Sequence, residues 1–264
     1  MTILLQAFSY KQTAVYFVGK TILEFSHLES TNDYCRQMAG KQVMDEGTVV
    51  WAKHQSKGRG QGKSTWESNE GQNLTFSIIL EPVFLDPSGL FFLSMAVSLG
   101  IRGFLIQYSP HVSIKWPNDI YIGNRKIAGM LIESSVMGNR VKHSIAGIGI
   151  NINQTSFADH IPNPVSLKQV TYRTFPLRET LISLCSEIES WYRLLIKGEK
   201  EKIKNLYTRH LYRLNEKHSF RNDNMVFHAF IRGVDQFGRL VLEDEEGFTR
   251  HYGMKEVEFL HLTD

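Results

Sequence analysis

The chain has 264 residues, with 30 Lys and Arg against 27 Asp and Glu and a net charge of +3. That length suits one main globular domain with a small companion, and so even a charge balance excludes a nucleic-acid binder argued from electrostatics alone. Two cysteines, Cys35 and Cys185, without a Cys-x-x-Cys pair exclude a disulfide framework and a thiolate zinc site, and they fit a reducing, cytoplasmic setting.

The N-terminal "MTILLQAFSY" has no basic lead and only a short apolar run, so no secretory signal is expected. "STNDYCRQMAG" predicts a helix capped by Ser30 or Thr31 and ending near Gly40. Strand-like runs follow at "TVVWAKHQ", "NLTFSIILE", "HVSIKWP", "IAGMLIESS" and "HSIAGIGINI", with "IGNRK" as a turn between two of them. Among them, residues 90–106 form the most apolar segment; Gly100, Arg102 and Gly103 interrupt it, which predicts a buried core helix and no membrane contact. Leu177, Leu181, Leu184, Ile188, Trp191 and Leu195 recur at steps of four and three, one apolar stripe on a helix. From about residue 217 the pattern changes to short strands joined at "DQFG" and "DEEG". The expectation is an α+β main domain over 1–216, a mixed β-sheet with helices packed on it, and a small C-terminal β-barrel over 217–264.

"KHQSKGRGQGKSTW", residues 53–66, closes like a phosphate-binding P-loop. It is not one. Only three residues separate Gly58 from Gly62, where a P-loop needs four, and the segment leads into a strand rather than a helix. What remains is a basic, glycine-rich loop.

Four segments together resemble the biotin protein ligases: "STN" at 30–32, "QSKGRGQ" at 55–61 with Trp66 behind it, "KWPNDI" at 115–120 followed by "RKIAG" at 125–129, and "GIGININ" at 147–153. The tail "GVDQFGRLVLEDEEG" is similar to their small C-terminal domain. The resemblance implies a class II synthetase-like catalytic domain with an SH3-like barrel behind it. It also implies that biotin and ATP, with Mg2+, form biotinyl-5'-AMP, and that the biotinyl group passes to a lysine of a biotin carboxyl carrier protein. Members that also repress transcription carry a helix-turn-helix ahead of "STN"; the 29 residues before Ser30 show no such pair of helices, so a ligase without DNA binding is expected, as a monomer or homodimer.

The same resemblance assigns Ser30, Thr31, Asn32 and Gln55 to biotin, together with the loop residues Gly58, Arg59, Gly60 and Gln61 and Lys126. It assigns Arg59, Trp66, Lys115, Asn118, Lys126 and Asn151 to the nucleotide, and chemistry to Arg59, Lys126 and Asp119. The chemistry explains these residue types. A carboxylate attacking an α-phosphate brings two anions together, and cations must offset a repulsion of ~4 kcal/mol at about 4 Å and an effective dielectric of about 20. The biotin ureido ring needs both donors and acceptors. Gly58 and Gly60 let a mobile loop approach its ligand and exclude water. The acceptor lysine must lose a proton, and Asp119 is placed to orient it.

Ser30 and Thr31 also read as helix caps, Lys115 as a surface charge, and Trp116 as core. Glu256, in "MKEVEFL", is expected to support the site indirectly. Gln61 stands where many ligases have arginine and Lys63 where glycine is common, which predicts weaker retention of the adenylate. The competing readings are a lipoate or octanoate ligase of the same superfamily and a non-catalytic biotin- or nucleic-acid-binding module.

Overall fold

The structure, a computed structural model, describes residues 17–41, 44–62 and 64–260. Its first sheet contains β1 (Ile22–Leu28), β2 (Val49–Gln55), β3 (Leu74–Leu80), β4 (Val112–Lys115), β5 (Asp119–Ile122), β6 (Arg125–Met137) and β7 (Arg140–Ile150). They lie in the order β1-β2-β3-β7-β6-β5-β4. β1 is parallel to β2 and the other neighbours are antiparallel, giving the mixed sheet expected. Sequence reading had no strand at 22–28, because this edge strand is mostly half-buried or exposed and shows no clean apolar alternation.

The two faces of the sheet are chemically different. Side chains alternate along a strand, so β3 sends Leu74, Phe76, Ile78 and Leu80 into the main core, with Ile79 in a smaller cluster on the other side. The main core is filled by α2 (Phe91–Leu105) and α4 (Leu177–Ile196). Residues 87–105 are apolar enough by composition to cross a membrane, with a mean hydropathy of 1.5. Here they pack inside the protein. Gly100 allows it: a Cβ at that position would stand 2.6 Å from the Cα of Ile188 on α4, so the two helices meet backbone to backbone. The stripe on α4 buries Leu181, Leu184, Ile188 and Leu195, with Tyr192 added and Leu177 and Trp191 at its margin. On the opposite face lies α1 (Thr31–Gly40), whose Cys35 packs with Val50, Ile79 and Ile145.

Between the sheets come α3 (Leu167–Thr171) and α5 (Lys200–Arg209), neither of which the sequence pattern disclosed. The second sheet comprises β8 (Lys217–Asn222), β9 (Met225–Val234), β10 (Leu240–Glu243), β11 (Thr249–Tyr252) and β12 (Glu258–Phe259), in the order β11-β10-β9-β8-β12. Its apolar face is not sealed from the rest. Phe220, Ile231, Leu240 and Val257 belong to the same buried cluster as Phe91, Ile114 and Tyr207 of the first 216 residues. At the junction Trp116 Nε1 donates to Gly238 O at 2.8 Å, and Phe91 packs so close to Gly238 that a Cβ there would meet its ring at 2.1 Å.

Candidate active site

A cavity of about 830 Å3 opens on the α1 face of the first sheet, within the range of roughly 300–1,000 Å3 usual for small-molecule sites. Three glycines, Gly129, Gly147 and Gly149, open its floor. Across β3, β7, β6 and β5 the register aligns Thr75, Gly149, Gly129 and Asp119 in one row, with Ser77, Gly147 and Leu131 in the next. The "GIGI" motif is therefore two-faced: Ile148 and Ile150 join the core while Gly147 and Gly149 face the site. Each glycine admits one neighbour. A Cβ on Gly147 would stand 2.1 Å from Asn32 Oδ1, and one on Gly149 would stand 2.2 Å from Cε2 of Trp66.

At one end the cavity is rich in hydrogen bonds among neutral side chains. Gln55 Oε1 accepts from Thr31 N at 2.7 Å and from Thr31 Oγ1 at 3.1 Å. Ser77 Oγ lies 2.7 Å from Thr31 Oγ1 and 2.6 Å from Asn32 Oδ1, while Asn32 Nδ2 donates to Leu131 O and Glu133 Oε2. Ser30 caps α1, its Oγ accepting from Asp33 N at 3.4 Å, and it also lines the cavity, so both expected roles are compatible.

The other end is charged. Lys126 Nζ lies 2.7 Å from Asp119 Oδ1 and 5.9 Å from the centroid of the Trp66 ring. Lys126 faces this way because of a bulge: Asp119 pairs with Gly129 and Ile120 with Ala128, but Tyr121 pairs with Lys126. Ile127 is thus an extra residue. Were the strand regular through Ile127, with no bulge, alternation would send Lys126 to the same face as Ala128 and Met130, into the core. Trp66 Nε1 is buried and has no hydrogen-bond partner among the described residues, a free donor in the cavity wall. Asn118 lines the wall with its Nδ2 bonded to Met130 O at 2.7 Å.

Lys115 is no surface charge. It lines the cavity with Nζ 3.2 Å from Tyr121 Oη and over the rings of Tyr121 and Phe259. Burial lowers its pKa first of all, with the charge of Asp119 opposing and those of Lys126 and Arg213 adding. Trp116 is core, as expected, and also forms part of the wall.

Arg59 is ion-paired. Its Nη2 lies 2.5 Å from Glu133 Oε2 and 3.2 Å from Asp33 Oδ1, and Arg36 bonds the other Glu133 oxygen at 2.6 Å. Burial pushes the Glu133 carboxyl up, but hydrogen bonds from Asn32 and Arg59 and the charges of Arg59 and Arg36 outweigh it, leaving the pKa below its ordinary 4.5. Sequence reading did not single out Glu133 or Ser77. The available signal was strand alternation, since Glu133 is two and four residues from Leu131 and Gly129 on the site face of β6.

Two residues assigned to the ligands from sequence are not among those lining the cavity. Asn151 is buried and stands outside the cavity wall: its Nδ2 donates to Val165 O at 3.1 Å and its N–H to Ile127 O at 2.9 Å, so it fastens the end of β7. Gly58 also lies outside the wall. Its missing side chain admits the loop's own backbone, because a Cβ there would meet Trp66 O at 2.3 Å, and Trp66 N donates to Gly58 O at 3.0 Å. Gly60 does line the wall, but its N–H is likewise spent inside the loop, on Ser64 O at 2.8 Å. Gln61 lines the wall with Nε2 2.8 Å from Met254 Sδ. Lys63 lies outside the described residues.

Comparison with known proteins gives the same outline. The profile of the Biotin/lipoate A/B protein ligase family matches residues 24–151. The bifunctional ligase/repressor BirA of Bacillus spizizenii is 30% identical over 89% of this chain and 73% of its own length. The chain belongs to the biotin protein ligase family. A biotin–acetyl-CoA-carboxylase ligase of Paracoccus denitrificans is 28% identical over 75% of this chain and 85% of its own. The fold of this family member is also that of the biotin protein ligase from Aquifex aeolicus in complex with biotin and ATP, with a TM-score of 0.77, 24% identity and coverage of 92% and 99% of the two chains.

Proposed function

We propose that this chain activates biotin with ATP and transfers the biotinyl group to a lysine of a biotin carboxyl carrier protein. One observation carries the reading: a single cavity joins an end lined by the neutral hydrogen-bonding side chains of Thr31, Asn32 and Gln55 to an end bearing Lys126, Lys115 and Asp119, with Arg59 in the wall. A molecule with a neutral polar ring and a remote carboxylate fits the first end, and a nucleotide fits the second. The named activities of the similar ligases agree with both.

In the first half-reaction a carboxylate oxygen of biotin attacks the α-phosphorus of ATP, and the bond to pyrophosphate breaks. Lys126 and Arg59, held by Asp119 and Glu133, offset the repulsion between the two anions. Trp66, resting on Gly149 and Gly129, offers the adenylate a flat apolar wall with an unused N–H. In the second half-reaction the acceptor amine attacks the acyl carbon and AMP departs. Asp119 orients the incoming ammonium and takes its proton.

Magnesium belongs to this proposal as a nucleotide-borne ion. Among the described residues no three His, Cys, Asp or Glu side chains gather as a metal site. Such an ion is held largely by phosphate oxygens and water with one or two carboxylates, for which Asp119 and Glu258 line the cavity. It would screen the charge of the departing pyrophosphate. The reading also places the enzyme in a reducing cytoplasm, which the free, buried Cys35 and Cys185 support.

The decisive assay supplies labelled biotin or labelled lipoate, each with and without ATP, to a carrier domain. ATP-dependent labelling by biotin alone is expected. Labelling by lipoate would favour the rival ligase, and retention of biotin without ATP-dependent transfer would favour a binding module.

A further inference from the structure

The second sheet reaches the cavity through the turn between β11 and β12. Lys255, Val257, Glu258 and Phe259 line the wall. The turn is firmly made: Gly253 N donates to Glu256 Oε2 at 2.5 Å, Glu256 N to Gly253 O at 3.1 Å, and Asn222 Nδ2 to Glu256 O at 2.6 Å. Glu256 thus closes the turn. What the turn presents is Lys255, whose φ of +72° is a conformation that side-chain-bearing residues rarely adopt and glycine adopts freely.

Its side chain is directed at the glycine-rich loop. A Cβ built on Gly62 would stand 2.7 Å from Lys255 Nζ and 2.9 Å from its Cε, and the adjacent Met254 Sδ accepts from Gln61 at 2.8 Å. Loop and turn therefore meet at the cavity. The charge state of the cations around it is unequal. Lys126 is neutralised by Asp119, and Arg59 by Glu133 and Asp33, whereas Lys255 makes no ion pair among the described residues. A triphosphate carries several negative charges, and the loop contributes uncharged Gln61 at the place where Lys255 approaches.

Resting on the ligase reading above, we infer that Lys255 is a nucleotide-binding residue, a cation that the second sheet places on the phosphates of ATP. It meets the loop from the opposite side of the cavity, so its charge stands in for one that Gln61 does not carry. A lysine at a glycine-like φ is then intelligible: the turn accepts a strained backbone in exchange for a charge at the mouth of the site.

The test compares Lys255→Gly, Lys255→Arg and Lys255→Gly with Gln61→Arg, by biotin-dependent exchange of pyrophosphate into ATP. Glycine suits the φ of the turn, so Lys255→Gly is expected to melt at the parent's temperature or higher. It should raise the KM for ATP by roughly tenfold, the worth of one charge-assisted contact. The KM for biotin should stay within about twofold, and the rise for ATP should shrink in high salt. Lys255→Arg should keep most of the parent's ATP KM, and Gln61→Arg should restore part of what Lys255→Gly loses. An unchanged ATP KM in Lys255→Gly, or an equal loss in Lys255→Arg, overturns the inference while the ligase reading stands. A parent protein inactive in this exchange overturns both.

Discussion

Gly149 lies directly beneath the indole of Trp66, so closely that a Cβ would stand 2.2 Å from Cε2 and 2.5 Å from Cδ2. Backbone and ring are in contact, so an added methyl must displace the ring. Gly149→Ala is expected to lift the ring by an ångström or more and to lower kcat/KM for ATP by roughly 100-fold, with a much smaller effect on biotin binding. Steady-state exchange kinetics with each substrate varied in turn would check it; equal losses for both substrates would disconnect Trp66 from the nucleotide.

Asp119 is bound to Lys126 at 2.7 Å, which changes what its removal should do. From sequence alone, Asp119→Asn is expected to spare adenylate formation and slow transfer. Because the same carboxylate holds Lys126, the variant is expected to slow adenylate formation by about tenfold and transfer by about 100-fold. Single-turnover experiments, one half-reaction at a time, separate the two; unaltered adenylate formation would mean that Lys126 does not depend on its partner.

Glu133 gathers Asn32, Arg36 and Arg59 on one carboxylate. Glu133→Gln should cost about 1 kcal/mol in stability at neutral pH, since these pairs are partly solvent-screened. Because its folded pKa lies below 4.5, the stabilisation is present above pH 4.5 and is lost as the pH falls through the folded value. Denaturant titrations at pH 7 and in acid should therefore show the difference between parent and variant shrinking as acidity rises. A constant difference would rule out the carboxylate charge as its origin.

His210 follows α5, and burial, followed by the charges of Arg102 and Arg209, lowers its pKa from 6.5. The unfolded chain then binds more protons than the folded one between the two values. Stability contributed by neutral His210 is present above pH 6.5 and lost as the pH falls through the folded pKa. His210→Asn should flatten the thermal-stability profile on the acid side of pH 6.5. An identical pH slope in parent and variant would dismiss the residue.

Much of this protein is legible in one dimension because its signals are periodic. The apolar stripe on α4 and the alternation in β3 and β7 are enforced by burial, so they appear in sequence as spacing. The edge strand β1 is not legible, because an edge half open to solvent does not demand alternation. Glu133 was passed over because one carboxylate near a strand end has no pattern; its meaning comes from Arg59 and Asn32, which fold onto it from other parts of the chain.

The sequence by itself determined the alternating core strands, the apolar stripe of α4 and the ordered motifs that mark the family, since each is a local consequence of chain geometry and side-chain type. The tertiary structure alone decided which glycines serve the loop's own backbone and which the site, that Asn151 fastens a strand, and that Lys255 reaches the loop. It also decided that a bulge at Ile127 breaks the alternation and keeps Lys126 out of the core. The physical reason is that a bulge, a close approach and an ion pair are relations between distant segments, and strand register and core packing alone bring those segments together.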